Sequence, residues 1–184
     1  PTTSLTFEGL MSGLRSVESI VLPSMRFGNA VGMGGYFLAG AGGGGLGTTV
    51  TRMAARAGAT VIGVSRNQAN LDRHLGPLVA DGLAVIPVAA DVETAEGVDA
   101  VMDRVRNTPG NLHGLVSVVG GGTPPTWGPA TTVSRENWHA LFSRNLDATF
   151  FISQAVAAQL KEQGRPGSLV AISSITALGA QPYN

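Results

Sequence analysis

YFLAGAGGGGLGTTVTRMAARAGATVIGVSRN, residues 36–67, is the stretch on which the reading of the whole chain turns. An apolar run, Tyr36–Ala39, enters a row of glycines. Thr48–Ala57 follows, with Val50, Met53, Ala54 and Ala57 on one helical face, and Ala59–Val64 is a second apolar run. The order is strand, glycine turn, helix, strand. Glycine suits such a turn because its backbone reaches angles other residues resist. The missing side chain also lets an anion approach the unpaired N–H groups and partial positive charge at the helix N-terminus. A glycine row alone reads equally as a flexible linker, which is the reading of Gly28–Gly35. The strand and amphipathic helix around the second row favour a phosphate-binding turn there.

Outward from this unit the alternation repeats. Leu83–Val88, Gly114–Val119 and Ser168–Ile172 are further strand candidates, apolar on both faces as strands covered by helices on both sides should be. Thr94–Arg106 places Val98, Val101, Met102 and Val105 on one helical face. A long helical pattern runs from near Ser134 to about Gln163, with a break expected near Asn145. The segment between Gln68 and Asp81 is a weaker helix, because Gly76 and Pro77 interrupt it. Repeated βα units predict a doubly wound parallel sheet in a Rossmann-like three-layer αβα arrangement over residues 35–184. Ahead of it, residues 1–34 carry an amphipathic helix, with Leu10, Leu14, Val17 and Val21 at helical spacing before Pro23, and then the linker.

Composition narrows the function. The formal net charge is zero and charged residues make up 13% of the chain, so no basic field is offered to nucleic acid or anionic lipid. There are no cysteines, which removes disulfides and thiolate metal sites and fits an intracellular, cytoplasmic protein. His74, His113 and His139 show no ligand spacing and are expected at the surface. No apolar run approaches the roughly 20 residues needed to cross a bilayer. Glu8, Arg15 and Glu18 interrupt the first residues where a signal peptide would be continuous. Low charge with positive mean hydropathy predicts a homo-oligomer.

The glycine turn resembles the TGxxxGxG fingerprint of the short-chain dehydrogenase/reductase family, and the resemblance extends from about residue 36 to the last residue. Gly45, Leu46 and Gly47 match its end. The first glycine falls on Gly40, with Ala39 in the threonine position and one residue inserted, or on Ala41 without a gap. The resemblance implies a nicotinamide dinucleotide on this turn. At the end of the second strand, Ser65 and Arg66 stand where an acid would favour NAD(H); a guanidinium there suits the 2′-phosphate and favours NADP(H), unless Arg66 merely points to water. Asp91-Val92 resembles the family's adenine contact, the alternative being a helix-capping aspartate.

GLVSVVGGG, residues 114–122, departs from the family's asparagine pair at Ser117, Val118 and Val119 but keeps Gly120, and Val119 and Gly120 are the expected nicotinamide-side contacts. ENWHALFSRNLDATFFISQAV, residues 136–156, resembles the family helix whose asparagine bends the helix and supports a proton relay, which assigns that role to Asn145 unless it simply faces solvent. Trp138 and Phe142 are expected in the core. GSLVAISSITALG, residues 167–179, resembles the strand and serine that hold the substrate carbonyl oxygen, which assigns Ser174; turn capping is the alternative. The family's proton donor is a YxxxK tyrosine about a dozen residues further on. Tyr183 comes too soon and no lysine follows it, so the fold and the chemistry are both expected to be incomplete at the C-terminus. The implied activity is hydride transfer between NADP(H) and a small carbonyl or secondary alcohol. A non-catalytic nucleotide-binding module is the other reading. A methyltransferase, which shares the glycine turn, explains neither Asn145 nor the ISSI motif.

Overall fold

In a computed structural model the described residues are 44–122, 126 and 129–175, with the backbone of 35–40. The helix and most of the linker expected over residues 1–34 lie outside them. Gly35, expected in the linker, opens the first strand.

The strands are β1 (Gly35–Gly40), β2 (Thr60–Ser65), β3 (Val85–Ala89), β4 (Asn111–Ser117) and β5 (Ser168–Ala171). They form one parallel sheet in the order β3-β2-β1-β4-β5. Helix α1 (Leu46–Arg56) joins β1 to β2, α2 (Gln68–Ala80) joins β2 to β3, and α3 (Ala95–Arg106) joins β3 to β4. Between β4 and β5 run α4 (Arg135–Phe142), a π-helical turn (Ser143–Asp147) and α5 (Ala148–Glu162). The order reverses between β1 and β4, so the connections leaving their carboxyl ends diverge and open a crevice there, the usual ligand position in open α/β sheets.

Side-chain alternation along the strands builds a core on each face. Ile62 and Val64 of β2 and Leu112 and Leu115 of β4 pack with Val98, Val101, Met102 and Val105 of α3 and with Ile152, Val156 and Leu160 of α5. Val61 points the opposite way, to the face covered by Leu71, Leu75 and Leu78 of α2 and Thr51 and Ala55 of α1, all buried. Each fully buried leucine or isoleucine contributes about 1.5–3 kcal/mol against exposure. The heptad-like spacing of Leu71, Leu75 and Leu78 makes α2 a full helix despite Pro77, which sits in its last turn; Asn67 caps its start by accepting from the Asn70 N–H at 3.2 Å.

Three expectations are corrected. The fourth strand begins at Asn111 and ends at Ser117 rather than spanning 114–119. Trp138 and Phe142 are 53% and 43% exposed rather than core residues. Their rings lie against one another, tilted by 40° with centroids 4.6 Å apart, and α4 has no buried residue at all. β5 is exposed along its length instead of covered on both faces. The helix break near Asn145 is the π-helical turn, which admits one extra residue per turn and changes the helix's direction of presentation. No helix among the described residues is long and apolar enough to cross a membrane.

Candidate functional site

The carboxyl ends of all five strands gather the sequence-predicted residues. Gly40 ends β1 and Ala41 lies outside the described residues. Gly44 and Gly45 have φ of +76° and +62°, the left-handed region that glycine enters without strain. Gly45 is the N-cap of α1 and offers no side chain to its N–H groups, in contrast to Asn67, Thr94 and Ser134, which cap α2, α3 and α4. The first turn of α1 therefore receives no side-chain cap from its N-cap residue. A Cβ added at Gly45 would meet no described atom within 4 Å, so there is room beside this residue. Leu46 is exposed, whereas Gly47 is buried. His74, expected at the surface, is half-buried against this loop: a Cβ on Gly44 would lie 3.1 Å from its Cε1.

Ser65 ends β2; its carbonyl accepts from the Ala90 N–H at 2.9 Å, and its hydroxyl accepts from the Asn67 N–H at 3.4 Å. Arg66 does not simply point to water. Its Nη1 donates to Glu93 Oε1 at 2.8 Å, and Arg144 Nε donates to that same oxygen at 3.3 Å. Glu93 and Arg144 escaped the sequence reading although each adjoins a nominated motif, Glu93 following Asp91-Val92 and Arg144 preceding Asn145.

Asp91 is not the cap of α3. Thr94 is: its hydroxyl accepts from the Gly97 N–H at 3.0 Å and donates to the Asp91 carbonyl at 2.9 Å. The Asp91 carboxylate instead accepts from the Glu93 N–H through Oδ1 at 3.0 Å. Gly97 permits this close packing, since a Cβ there would collide with the Asp91 carbonyl oxygen. Val92 is buried in the core, so it can offer a ligand its backbone only.

On the other side of the crevice, Val119 packs against the core and the chain leaves β4 through Gly120 and Gly121, with φ of +152° and +104°. Asn145 grips this turn. Its Oδ1 accepts from the Gly121 N–H at 2.7 Å, and its Nδ2 donates to the Gly121 carbonyl at 3.1 Å and to the Leu141 carbonyl at 2.9 Å. Both amide donors are thus taken, leaving one lone pair of Oδ1 for a water. Gly120 must lack a side chain, because a Cβ would stand 2.9 Å from Asn145 Oδ1. Ser117, buried at the end of β4, shares a hydrogen bond with the Thr149 hydroxyl at 3.0 Å, which ties the strand to α5. Ser174 follows β5 on the same edge of the sheet and is exposed; the Ile172 N–H donates to the Ser117 carbonyl at 2.9 Å and carries the chain past β4 toward it.

Elsewhere, Glu136 in the first turn of α4 has its carboxyl held below the usual range, first by a backbone hydrogen bond at its own position, then by the Ser134 hydroxyl. Among the described residues, no group of three or more His, Asp or Glu is placed to hold a metal ion.

The family model described as short chain dehydrogenase matches residues 37–184. The chain belongs to that family. It is 32% identical over 146 residues to dehydrogenase/reductase SDR family member 4 of Oryctolagus cuniculus, covering 76% of this chain and 54% of the relative. A solved short-chain type dehydrogenase/reductase from Mycobacterium ulcerans superposes with a TM-score of 0.72 at 31% identity, over 82% of this chain and 54% of the other. A gluconate 5-dehydrogenase from Burkholderia cenocepacia, solved in complex with NADP and tartrate, superposes with a TM-score of 0.69 at 28% identity, over 82% of this chain and 57% of the other. The chain spans about half the length of the relatives it matches. Membership establishes an NAD(P)-dependent oxidoreductase family with a Rossmann-like fold.

Proposed function

We propose that this chain holds NADP(H) across the β1–β4 crevice and contributes to hydride exchange with a small carbonyl compound or secondary alcohol. One observation carries the reading. The N-terminus of α1, beside the divide in the sheet, has no side-chain cap and has room beside Gly45, and an arginine follows the neighbouring strand. A dinucleotide fits these residues. Its pyrophosphate suits the amides of Gly45–Gly47, its 2′-phosphate suits Arg66 beside Ser65, and its adenine amino group suits the Asp91–Val92 turn. The NADP complex of the Burkholderia relative supports the phosphate form.

When bound, the cofactor would supply or accept the hydride. The chain's own residues do the positioning. Val119 and Gly120 would border the nicotinamide, and Asn145 fixes the shape of that border through Gly121. Ser174 would donate its hydroxyl proton in a hydrogen bond to the substrate oxygen, stabilising negative charge as it develops there. Asn145 therefore acts as a positioning residue, and any relay water would rest on the one remaining lone pair of its Oδ1. The exposed apolar row Trp138, Phe142, Leu146 and Phe150 supports self-association of the chain.

The test is titration of the chain with NADPH and NADH, followed by nicotinamide fluorescence, in the wild type and in Arg66→Gln. The reading expects NADPH to bind more tightly, and the substitution to weaken NADPH by on the order of 10 to 100-fold with little change for NADH. Equal loss for both cofactors would remove Arg66 from the 2′-position. Binding of neither would remove the whole reading. In the full-length protein, tight NADPH binding with no oxidation across a panel of carbonyl compounds would assign a binding module.

A further inference from the structure

Three elements that are distant in sequence converge on one oxygen atom. Arg66 follows β2, Glu93 lies between β3 and α3, and Arg144 sits in the π-helical turn, yet both guanidiniums reach Glu93 Oε1, at 2.8 and 3.3 Å. The side chains of Glu93 and Arg144 are 16% and 23% exposed, whereas Arg66 is 53% exposed. Glu93 is thus a mostly buried carboxylate with one inner and one outer arginine. Among the described residues, the Asp91 carboxylate also lies against this turn and accepts from the Glu93 N–H.

The proposed function asks Arg66 to serve a phosphate, but Glu93 already occupies it. If Glu93 had no other cation, drawing Arg66 away would leave a buried carboxylate unpaired, and that desolvation cost would be charged against phosphate binding. Arg144 removes this obstacle, because it keeps Glu93 paired whichever way Arg66 turns. We propose that Glu93 and Arg144 are specificity-determining residues for the cofactor's 2′-position: Glu93 competes for Arg66, and Arg144 sets how readily Glu93 releases it. The inference rests on the proposed binding of the cofactor's adenosine end beside Arg66.

Dissociation constants for NADPH and NADH are measured on the full chain as wild type, Glu93→Gln, Arg144→Met, Arg144→Lys and the double variant, each checked for wild-type far-ultraviolet circular dichroism. Arg144→Met leaves Glu93 wholly dependent on Arg66, so the preference for NADPH over NADH falls roughly tenfold, the scale of one charge-assisted hydrogen bond. Glu93→Gln frees Arg66 and raises the preference. The double variant follows Glu93→Gln, because Arg144 acts only through Glu93. If Arg144→Met does not fold, Arg144→Lys, which keeps the charge but weakens the contact, is expected to lower the preference by a smaller factor. A preference unchanged by Arg144→Met and Glu93→Gln, with both cofactors still bound, overturns this inference and leaves the proposed function standing. Failure of the wild type to bind either cofactor overturns both. An Arg144→Met loss that is equal for NADPH and NADH shows a structural role only and overturns the inference.

Discussion

Replacing Asn145 with alanine removes three hydrogen bonds at once: from the Gly121 N–H, to the Gly121 carbonyl and to the Leu141 carbonyl, at 2.7, 3.1 and 2.9 Å. A net hydrogen bond contributes about 0.5–1.5 kcal/mol, and water can reach this exposed residue to replace part of each, so the expected loss is about 2 kcal/mol in total. With a urea slope of about 1–3 kcal/mol per molar, the unfolding midpoint should fall by about 1 M. Hydrogen exchange at the Gly121 amide gives a local reading, with protection falling roughly thirtyfold for a loss of that size. An unchanged midpoint together with unchanged Gly121 exchange would refute the clamp and leave Asn145 as an ordinary solvent-facing asparagine.

Gly120→Ala should destabilise the wild type more than it destabilises Asn145→Ala, because the added Cβ lies 2.9 Å from the Asn145 Oδ1 that the second background lacks; a double-mutant cycle by urea unfolding reads the coupling. Gly97→Ala drives a methyl into the Asp91 carbonyl and should cost about 3 kcal/mol or more, seen as a lowered Tm. Gly45→Asp forces a side chain into φ +62° and ψ −130° and places a carboxylate before α1, so NADPH binding should be lost while the fold, followed by circular dichroism, survives a strain of about 1–3 kcal/mol. Because the folded-state pKa of Glu136 is depressed, its contribution is present above the ordinary carboxylate pKa and lost as pH falls through the lowered value. The stability difference between wild type and Glu136→Gln should therefore be present at neutral pH and vanish in acid.

The sheet and its helices were legible because their signals are local. Leu71, Leu75 and Leu78 mark a buried helix face even with Pro77 at its end, and the glycines before Leu46 mark the turn into α1. The fourth strand was misplaced for a physical reason. Asn111 is polar yet pairs with Gly35 of β1, and His113 sits at the register shift between the two strands with the Asn111 carbonyl 2.8 Å from its Nδ1, whereas apolar Val118 and Val119 have already turned toward Gly120. Trp138 and Phe142 looked like core residues because apolar character says nothing about what covers a helix face. The break at Asn145 was readable from one polar residue in an apolar pattern, but its partner Gly121 was not, since only the fold brings them together. The Arg66–Glu93–Arg144 cluster was hidden for the same reason: it depends on β3, β2 and the π-helical turn meeting at one edge.

The most direct measurement is hydrogen exchange by mass spectrometry on the full chain with and without NADPH. The account predicts slowed exchange in peptides covering Gly44–Gly47, Ser65–Arg66, Asp91–Val92 and Gly120–Gly121, the segments at the carboxyl edge of the sheet. Unchanged exchange in all four, or protection confined to a distant surface such as that around Trp138, would contradict it.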